Sequence, residues 1–262
     1  MFHYFGYGSN MNPVSLRAKG VQPRASERAT LRGWTLCFDV EHWFRHEGGV
    51  GNIRPSTDPE AAVQGVVHIC EDADLAKLDA VEAYGVGYDR VEVPVHTDTG
   101  PRMATAYVGL EPHTREGCLP TQRYLNILIS GAQSAGLDPT YIARLDQHPV
   151  LTPRDYPPFS PPTTSGNAFT RDTLAQHPKY TALAGAVFDM SDARWQHHYL
   201  WTLFGGRDMT LFHLKRLDTS DGSETIDDLR LDRLARNQRD YLNAYLNEYD
   251  DEYRYVGRYR YS

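Results

Sequence analysis

From its first residues the chain sets apolar and polar positions in short runs bounded by turn residues. Tyr4, Phe5 and Tyr7 read as a strand, and Gly8-Ser9-Asn10 reads as a tight turn leaving it. The runs TLCFDV, GVGNI, AVQGVVHI, DRVEVPVH and MATAYVGL follow, several rich in valine, and each predicts a strand. Two helical stretches close this half, residues 121–136 and 139–147, with Tyr124, Leu125, Leu128 and Ile129 on one face of the first. Strands followed by helices, without regular alternation of the two, predict an α+β domain on a mostly antiparallel sheet.

Residues 148–167 break the pattern: prolines crowd in with Ser, Thr and Gly, and neither period 2 nor period 3.6 survives, which predicts a linker. Beyond it, FTRDTL predicts a helix capped by Thr170 with Asp172 in its first turn, and ALAGAVFDMS a strand. LARNQRDYLNAYLNEYDDEYRYVGR predicts an amphipathic helix running into a final strand, with Tyr241, Leu242, Tyr245 and Leu246 as its buried stripe. The expected organisation is a domain over 1–147, a linker over 148–167 and a small second α+β domain over 168–262.

At 262 residues with a net charge of −7, the chain advertises no basic surface for nucleic acid or anionic lipid. A small-molecule or protein partner is expected, with no nucleic acid and no membrane; a homodimer stays open. Apolar stretches such as LNILI fall short of the ~20 residues that span a bilayer, and no basic segment precedes an apolar one at the N-terminus. The expectation is a soluble, cytoplasmic protein. Cys37, Cys70 and Cys118 are odd in number and widely spaced, which suggests neither a disulfide framework nor a zinc knuckle.

Two places carry candidate chemistry. The Gly8-Ser9-Asn10 turn directs backbone N–H groups towards one point, where they can hold a carboxylate or an oxyanion. Glu82 follows a stripe of Leu75, Leu78 and Val81 on a helix with Asp72 or Asp74 as its cap, and the helix stops at Gly85 to Gly87. That spacing puts its carboxylate on the leucine face, where burial disfavours the charged form and suits a group that takes and returns a proton. The plainer alternative is an ion pair with Arg90. His42 and His46 would share a face if helical, but no further ligand pattern accompanies them, and GGVGN and GGRD lack the setting of a phosphate loop. No metal and no cofactor are expected.

In that order, YFGYGSNM and LDAVEAYGVGY resemble the opening loop and the glutamate-bearing segment of the gamma-glutamylcyclotransferase family. The resemblance runs over about 1–147 and takes in GNI, QGVVHI, ATAYVGL and LPTQRYLNILISGAQSAGLDPTYIARL. It implies that family's barrel-like, mostly antiparallel sheet with helices. It implies Glu82 as the catalytic residue, and a substrate site of Tyr4, Phe5, Gly6, Tyr7, Gly8, Ser9, Asn10, Tyr88, Tyr107 and Tyr124. The implied substrate is a gamma-glutamyl amino acid, amine or glutathione, closed to 5-oxoproline without metal or nucleotide. The sequence departs from the family where Ala83-Tyr84 follows the glutamate, a place where Gly often stands.

Residues 168–258 resemble the membrane-associated progesterone receptor branch of the cytochrome b-type haem and steroid-binding fold, through FT, AGAVFDMS, FGGRDMT and the helix ending in YRYVGR. At the place of that branch's haem-ligating tyrosine stands Trp201, with Tyr199, His197 and His198 close by. An indole cannot ligate iron, so haem by that ligand is not expected. Two functions follow: an enzyme with an accessory domain, or a binding protein built on the second domain with an idle first one.

Overall fold

The structure of the protein, a computed structural model, describes residues 1–162 and 167–261. Residues 163–166, within the expected linker, and Ser262, at the end of the expected second domain, lie outside the described residues. The chain divides into two compact units, Met1–His42 with Glu47–Thr152, and Trp43–His46 with Pro153–Ser262. Four residues from within the expected first domain are thus counted with the second unit. No helix of the described residues is long and apolar enough to cross a membrane.

The first unit runs β1 (Phe2–Gly6), α1 (Pro13–Ala18), β2 (Ala25–Arg32), β3 (Trp34–Glu41), β4 (Gly49–Pro55), β5 (Ala62–Cys70), α2 (Asp74–Val81), β6 (Tyr88–Thr97), β7 (Gly100–Gly109), α3 (Gln122–Ser134) and α4 (Pro139–Asp146). Five strands close a barrel in the order β1-β5-β2-β6-β7, and β3 with β4 forms a separate antiparallel ribbon. All barrel pairs are antiparallel except the closing one, where Tyr4 of β1 lies beside Thr105 of β7 in parallel. Closure leaves no unpaired barrel edge. This is the expected mostly antiparallel α+β barrel.

Inward positions at period 2 fill that barrel: Phe5, Leu31, Val63, Val67, Val93, Val95 and Ala106 are buried together. Strand β2 is absent from the expectation because ASERATLR carries charge at its outward positions and offers only Ala29 and Leu31 inward. A second cluster joins Met11 and Phe38 to Leu125, Leu128 and Tyr141, seating α3 and α4 beside the chain that leaves β1.

The second unit contains β8 (Asn167–Phe169), α5 (Arg171–Ala175), β9 (Tyr180–Leu183), β10 (Ala186–Asp189), α6 (Leu200–Phe204), β11 (Arg207–Asp208), α7 (Thr210–Leu214), α8 (Ile226–Arg230), α9 (Arg236–Glu252) and β12 (Arg254–Tyr259). Its sheet has the order β11-β9-β10-β12-β8. ALAGAVFDMS is two strands instead of one, because Ala184 and Gly185 both take positive φ (45° and 87°) and turn the chain back on itself. Thr170 caps α5 as expected. On α9, Leu242 and Tyr245 are buried while Tyr241 and Leu246 only flank the core, and Tyr249 joins it. Residues 156–159 of the expected linker lie along α9: the Phe159 N–H donates to Asn243 Oδ1 at 2.7 Å, and Pro157 O accepts from Asn243 and Asn247. Phe44 sits at the centre of this unit, 5.2 Å from the rings of His197, Tyr245 and Tyr249.

Helix α2 has one feature that bears on the site. Neither Asp72 nor Asp74 caps it: the N-cap is Ala73 without a side-chain bond, and Asp74, in the first turn, pairs with Lys77 at 2.7 Å. The helix closes at Glu82, whose N–H reaches Leu78 O, and Ala83 then adopts φ 51° so that the Tyr84 N–H can return to Asp79 O at 2.9 Å. The Ala83 carbonyl in turn receives the N–H groups of Val86 and Gly87. This is the left-handed closing position that glycine usually fills, and a Cβ there costs on the order of 1 kcal/mol. Ala83→Gly is expected to raise the melting temperature by roughly 2–4 °C. An unchanged or lower midpoint in thermal denaturation would show that the alanine is unstrained.

Candidate active site

Past the end of β1, Tyr7 and Gly8 lead into a single 3-10 turn, Ser9–Met11. The Met11 N–H donates to Gly8 O at 3.0 Å and the Asn12 N–H to Ser9 O at 3.1 Å, closing it. His68 of β5 holds the turn from outside, with Nε2 2.9 Å from Asn10 O and Nδ1 2.7 Å from Ser26 Oγ. A carbonyl only accepts, so Nε2 carries the proton and Nδ1 accepts from the serine hydroxyl. Burial pushes the His68 imidazole down to about 4, against the bond to Asn10. The ring is therefore neutral at pH 7, as this pattern of bonds needs.

Asn10 faces Glu82. Its Nδ2 donates to Glu82 Oε1 at 2.9 Å and to the Tyr4 hydroxyl oxygen at 2.5 Å, while its Oδ1 accepts from Lys19 Nζ at 2.5 Å. Lys19 Nζ also lies 3.4 Å from Glu82 Oε1 and 3.3 Å from Ser9 Oγ. The Lys19 and Glu82 side chains are only 6% and 15% exposed. The plain pairing of Glu82 with Arg90 is not formed: Arg90 reaches Asp79 at 3.6 Å and lies over the Tyr84 ring. Of the expected leucine face, Leu78 is fully buried and Leu75 is not.

A pocket gathers Tyr4, Tyr7, Gly8, Ser9, Asn10, Gly51, Glu82, Tyr88, Tyr107 and Tyr124. Two expected members fall outside its lining: Phe5 points into the barrel, and Gly6 packs where a Cβ would meet the Asn10 backbone at 3.3 Å. The tyrosines brace the wall. Tyr88 donates to Gly51 O at 2.9 Å, Gly51 N–H donates to the Tyr124 hydroxyl oxygen at 2.9 Å, and the Ser9 N–H faces that same oxygen. Tyr7 donates to Tyr107 O, and Tyr107 to Asp79 Oδ1 at 2.7 Å. Burial, reinforced by Glu82, raises the phenols of Tyr4, Tyr7 and Tyr88 well above their usual range and takes Tyr124 up to about 12. All therefore stay protonated at neutral pH: Tyr7 and Tyr88 donate to backbone carbonyls, while the oxygens of Tyr4 and Tyr124 accept and keep their protons to give.

Residues 4–126, which hold the turn, Glu82 and the five pocket tyrosines, match the family described as gamma-glutamyl cyclotransferase, AIG2-like. The match covers just under half of the chain and ends before residues 153–262 of the second unit. Among curated relatives, the gamma-glutamyl cyclotransferase gliK of Claviceps purpurea is 28% identical over 150 residues, covering 54% of this chain and 67% of its own. The gamma-glutamyl cyclotransferase aclK of Aspergillus oryzae is 25% identical over 174 residues, covering 57% and 62%. The chain thus spans about two thirds of the length of these relatives. Among solved structures, YkqA from Bacillus subtilis shares the fold at TM-score 0.50 and 20% identity, over 57% of this chain and 55% of that one.

The second unit does not fit haem. Trp201 Nε1 donates to Met190 O at 3.0 Å, and an indole nitrogen has no lone pair for iron. Tyr199 stacks on Trp43, both ring nitrogens of His197 are engaged by Tyr253 and Trp43 O, and His198 Nε2 lies 3.2 Å from Ala193 O. Phe44 fills the middle of the unit among Phe204, Tyr245, Tyr249 and Tyr253. His42 and His46 do not share a helix face, since only Arg45–Glu47 forms a turn there. Among the described residues no group of three His, Cys, Asp or Glu is placed to hold a metal ion.

Three residues of this region escape the sequence reading. Gly51 sits within a run legible only as a strand. His68 is the lone polar residue in the apolar run VVHI, the single sign that it has a bonding role. Lys19 precedes a glycine at the end of a short helix and reads as an ordinary surface lysine. Among the pocket contacts, the Tyr124 hydroxyl is the one that serves two backbone donors. Tyr124→Phe leaves the Gly51 and Ser9 N–H groups without that acceptor and is expected to cost about 1–3 kcal/mol. Faster hydrogen exchange at the Gly51 amide checks this, and an unchanged rate would contradict it.

Proposed function

We propose that the first unit is a gamma-glutamyl cyclotransferase that closes a gamma-glutamyl amino acid, amine or glutathione to 5-oxoproline and releases the attached amine. The observation that carries this reading is the Glu82 carboxylate set against the Ser9–Asn10 turn in one tyrosine-walled pocket. In such a substrate the nucleophile is internal. The α-amine attacks the γ-carbonyl, the ring C–N bond forms, and the bond to the leaving nitrogen breaks.

The protein has to add a base, an acid and donors for the oxyanion. Glu82 takes one proton from the α-ammonium and returns it to the leaving nitrogen; the second proton, lost as the ring amide forms, passes to the released amine, which departs as its ammonium, so no water or co-reactant is consumed. Oxyanion and α-carboxylate donors come from backbone N–H groups over Tyr7 to Asn10. They also come from Tyr4, whose oxygen accepts from Asn10 while its own proton remains to give. The family match and the named relatives support the class of reaction. For residues 168–258 the reading is confined to fold, a small unit of the haem and steroid-binding kind whose ligand positions carry other chemistry.

The test is a panel of gamma-glutamyl amino acids, gamma-glutamylamines and glutathione, with 5-oxoproline detected by mass spectrometry. Turnover is expected with at least one of them. Glu82→Gln keeps the size of the side chain and loses proton transfer, so it should fold and lose at least ~10²-fold in kcat. A folded Glu82→Gln protein with wild-type turnover would remove Glu82 as the proton carrier. No product across the panel would favour a binding protein.

A further inference from the structure

We propose that Lys19 is a positioning residue for Glu82: its ammonium ties Oε1 to the Ser9–Asn10 turn and so presents Oε2 to the substrate. This rests on the cyclotransferase reading above and adds to it a residue from outside the two family signatures.

The local sequence explains how a lysine comes to lie there. Asn12 caps α1 by accepting from the Val14 and Ser15 N–H groups at 2.8 and 3.4 Å, and Pro13 occupies the first helical position. The helix ends at Ala18, so Lys19 leaves its last turn, and Gly20 at φ 77° carries the backbone away. Lys19 Nζ then reaches back over the turn that precedes its own helix.

A cation that is 6% exposed persists only where oxygens replace its water. Among the oxygens that hold Nζ are those of the turn and the carboxylate: Ser9 Oγ at 3.3 Å, Asn10 Oδ1 at 2.5 Å and Glu82 Oε1 at 3.4 Å. Lys19 does not line the pocket, so it acts through these groups and not on the substrate itself. The bonds from Asn10 and Lys19 both end on Oε1 of Glu82. An oxygen that already accepts two donors is the poorer place for a proton, which makes Oε2 the oxygen that takes one from the α-ammonium. Once the carboxyl is protonated, the neighbouring ammonium favours release of that proton to the leaving nitrogen. Orientation and proton return both appear in kcat, whereas substrate affinity does not depend on Lys19.

Lys19→Met and Lys19→Gln test this, with kinetics and a crystal structure of each beside the wild type. The account expects kcat to fall by at least ~10-fold with KM within about threefold, and Glu82 to leave hydrogen-bond distance of Asn10 Nδ2. A folded variant with wild-type kcat, a change in KM alone, or a retained Glu82–Asn10 bond would overturn it. Should Lys19→Met fail to fold, Lys19→Gln, which keeps a polar donor without the charge, supplies the same readouts. Absence of 5-oxoproline from the wild type itself would count against the reaction, while the crystallographic comparison would still decide the positioning.

Discussion

The first unit depends on one side chain, Asn10, which joins the Ser9–Met11 turn to the Glu82 carboxylate across from it. Its amide touches Glu82, Tyr4 and Lys19 at once, and its backbone carbonyl rests on His68. Both polar atoms of its side chain, and its backbone carbonyl, are therefore used inside the protein, at 4% exposure. In a site of low dielectric such a network is either fully satisfied or costly, and here it is satisfied. The turn and the carboxylate cannot move independently, which is what the proposed cyclisation, with its proton transfers at a fixed geometry, would require.

The barrel supplies the rigid frame for this. Strand β1 lies between β5 and β7, so the turn that leaves it is fixed on both sides: His68 comes from one neighbour and Tyr107 from the other. Glu82 arrives by a different route, at the closing residue of α2, where Ala83 takes a left-handed conformation. A helix end that closes in this way aims its last side chain more narrowly than a frayed one, and strained backbone of this kind belongs where geometry matters most.

Much of this was legible from residue patterns. Tyr7 to Asn10, Glu82 and the tyrosines at 88, 107 and 124 came together because turn chemistry and the family signatures both report on backbone shape. Phe5 and Gly6 did not join them, since alternate strand residues point to opposite faces and a glycine can serve packing alone. What stayed illegible were contacts made by long or lone polar side chains across the chain. Lys19 meets Glu82 over a separation of 63 residues, and His68 meets Asn10 over 58. No local period encodes such meetings. Strand β2 was missed for a related reason, because its place at the heart of a closed barrel is set by neighbours and not by its own charged sequence.

The central claim is that the substrate's own amine, and not water, breaks the gamma-glutamyl bond. Turnover in water enriched in oxygen-18, followed by mass spectrometry of the products, tests it directly. The account predicts 5-oxoproline carrying no oxygen from the solvent. Glutamate with one oxygen-18 in its side-chain carboxylate would mean hydrolysis, and would contradict it.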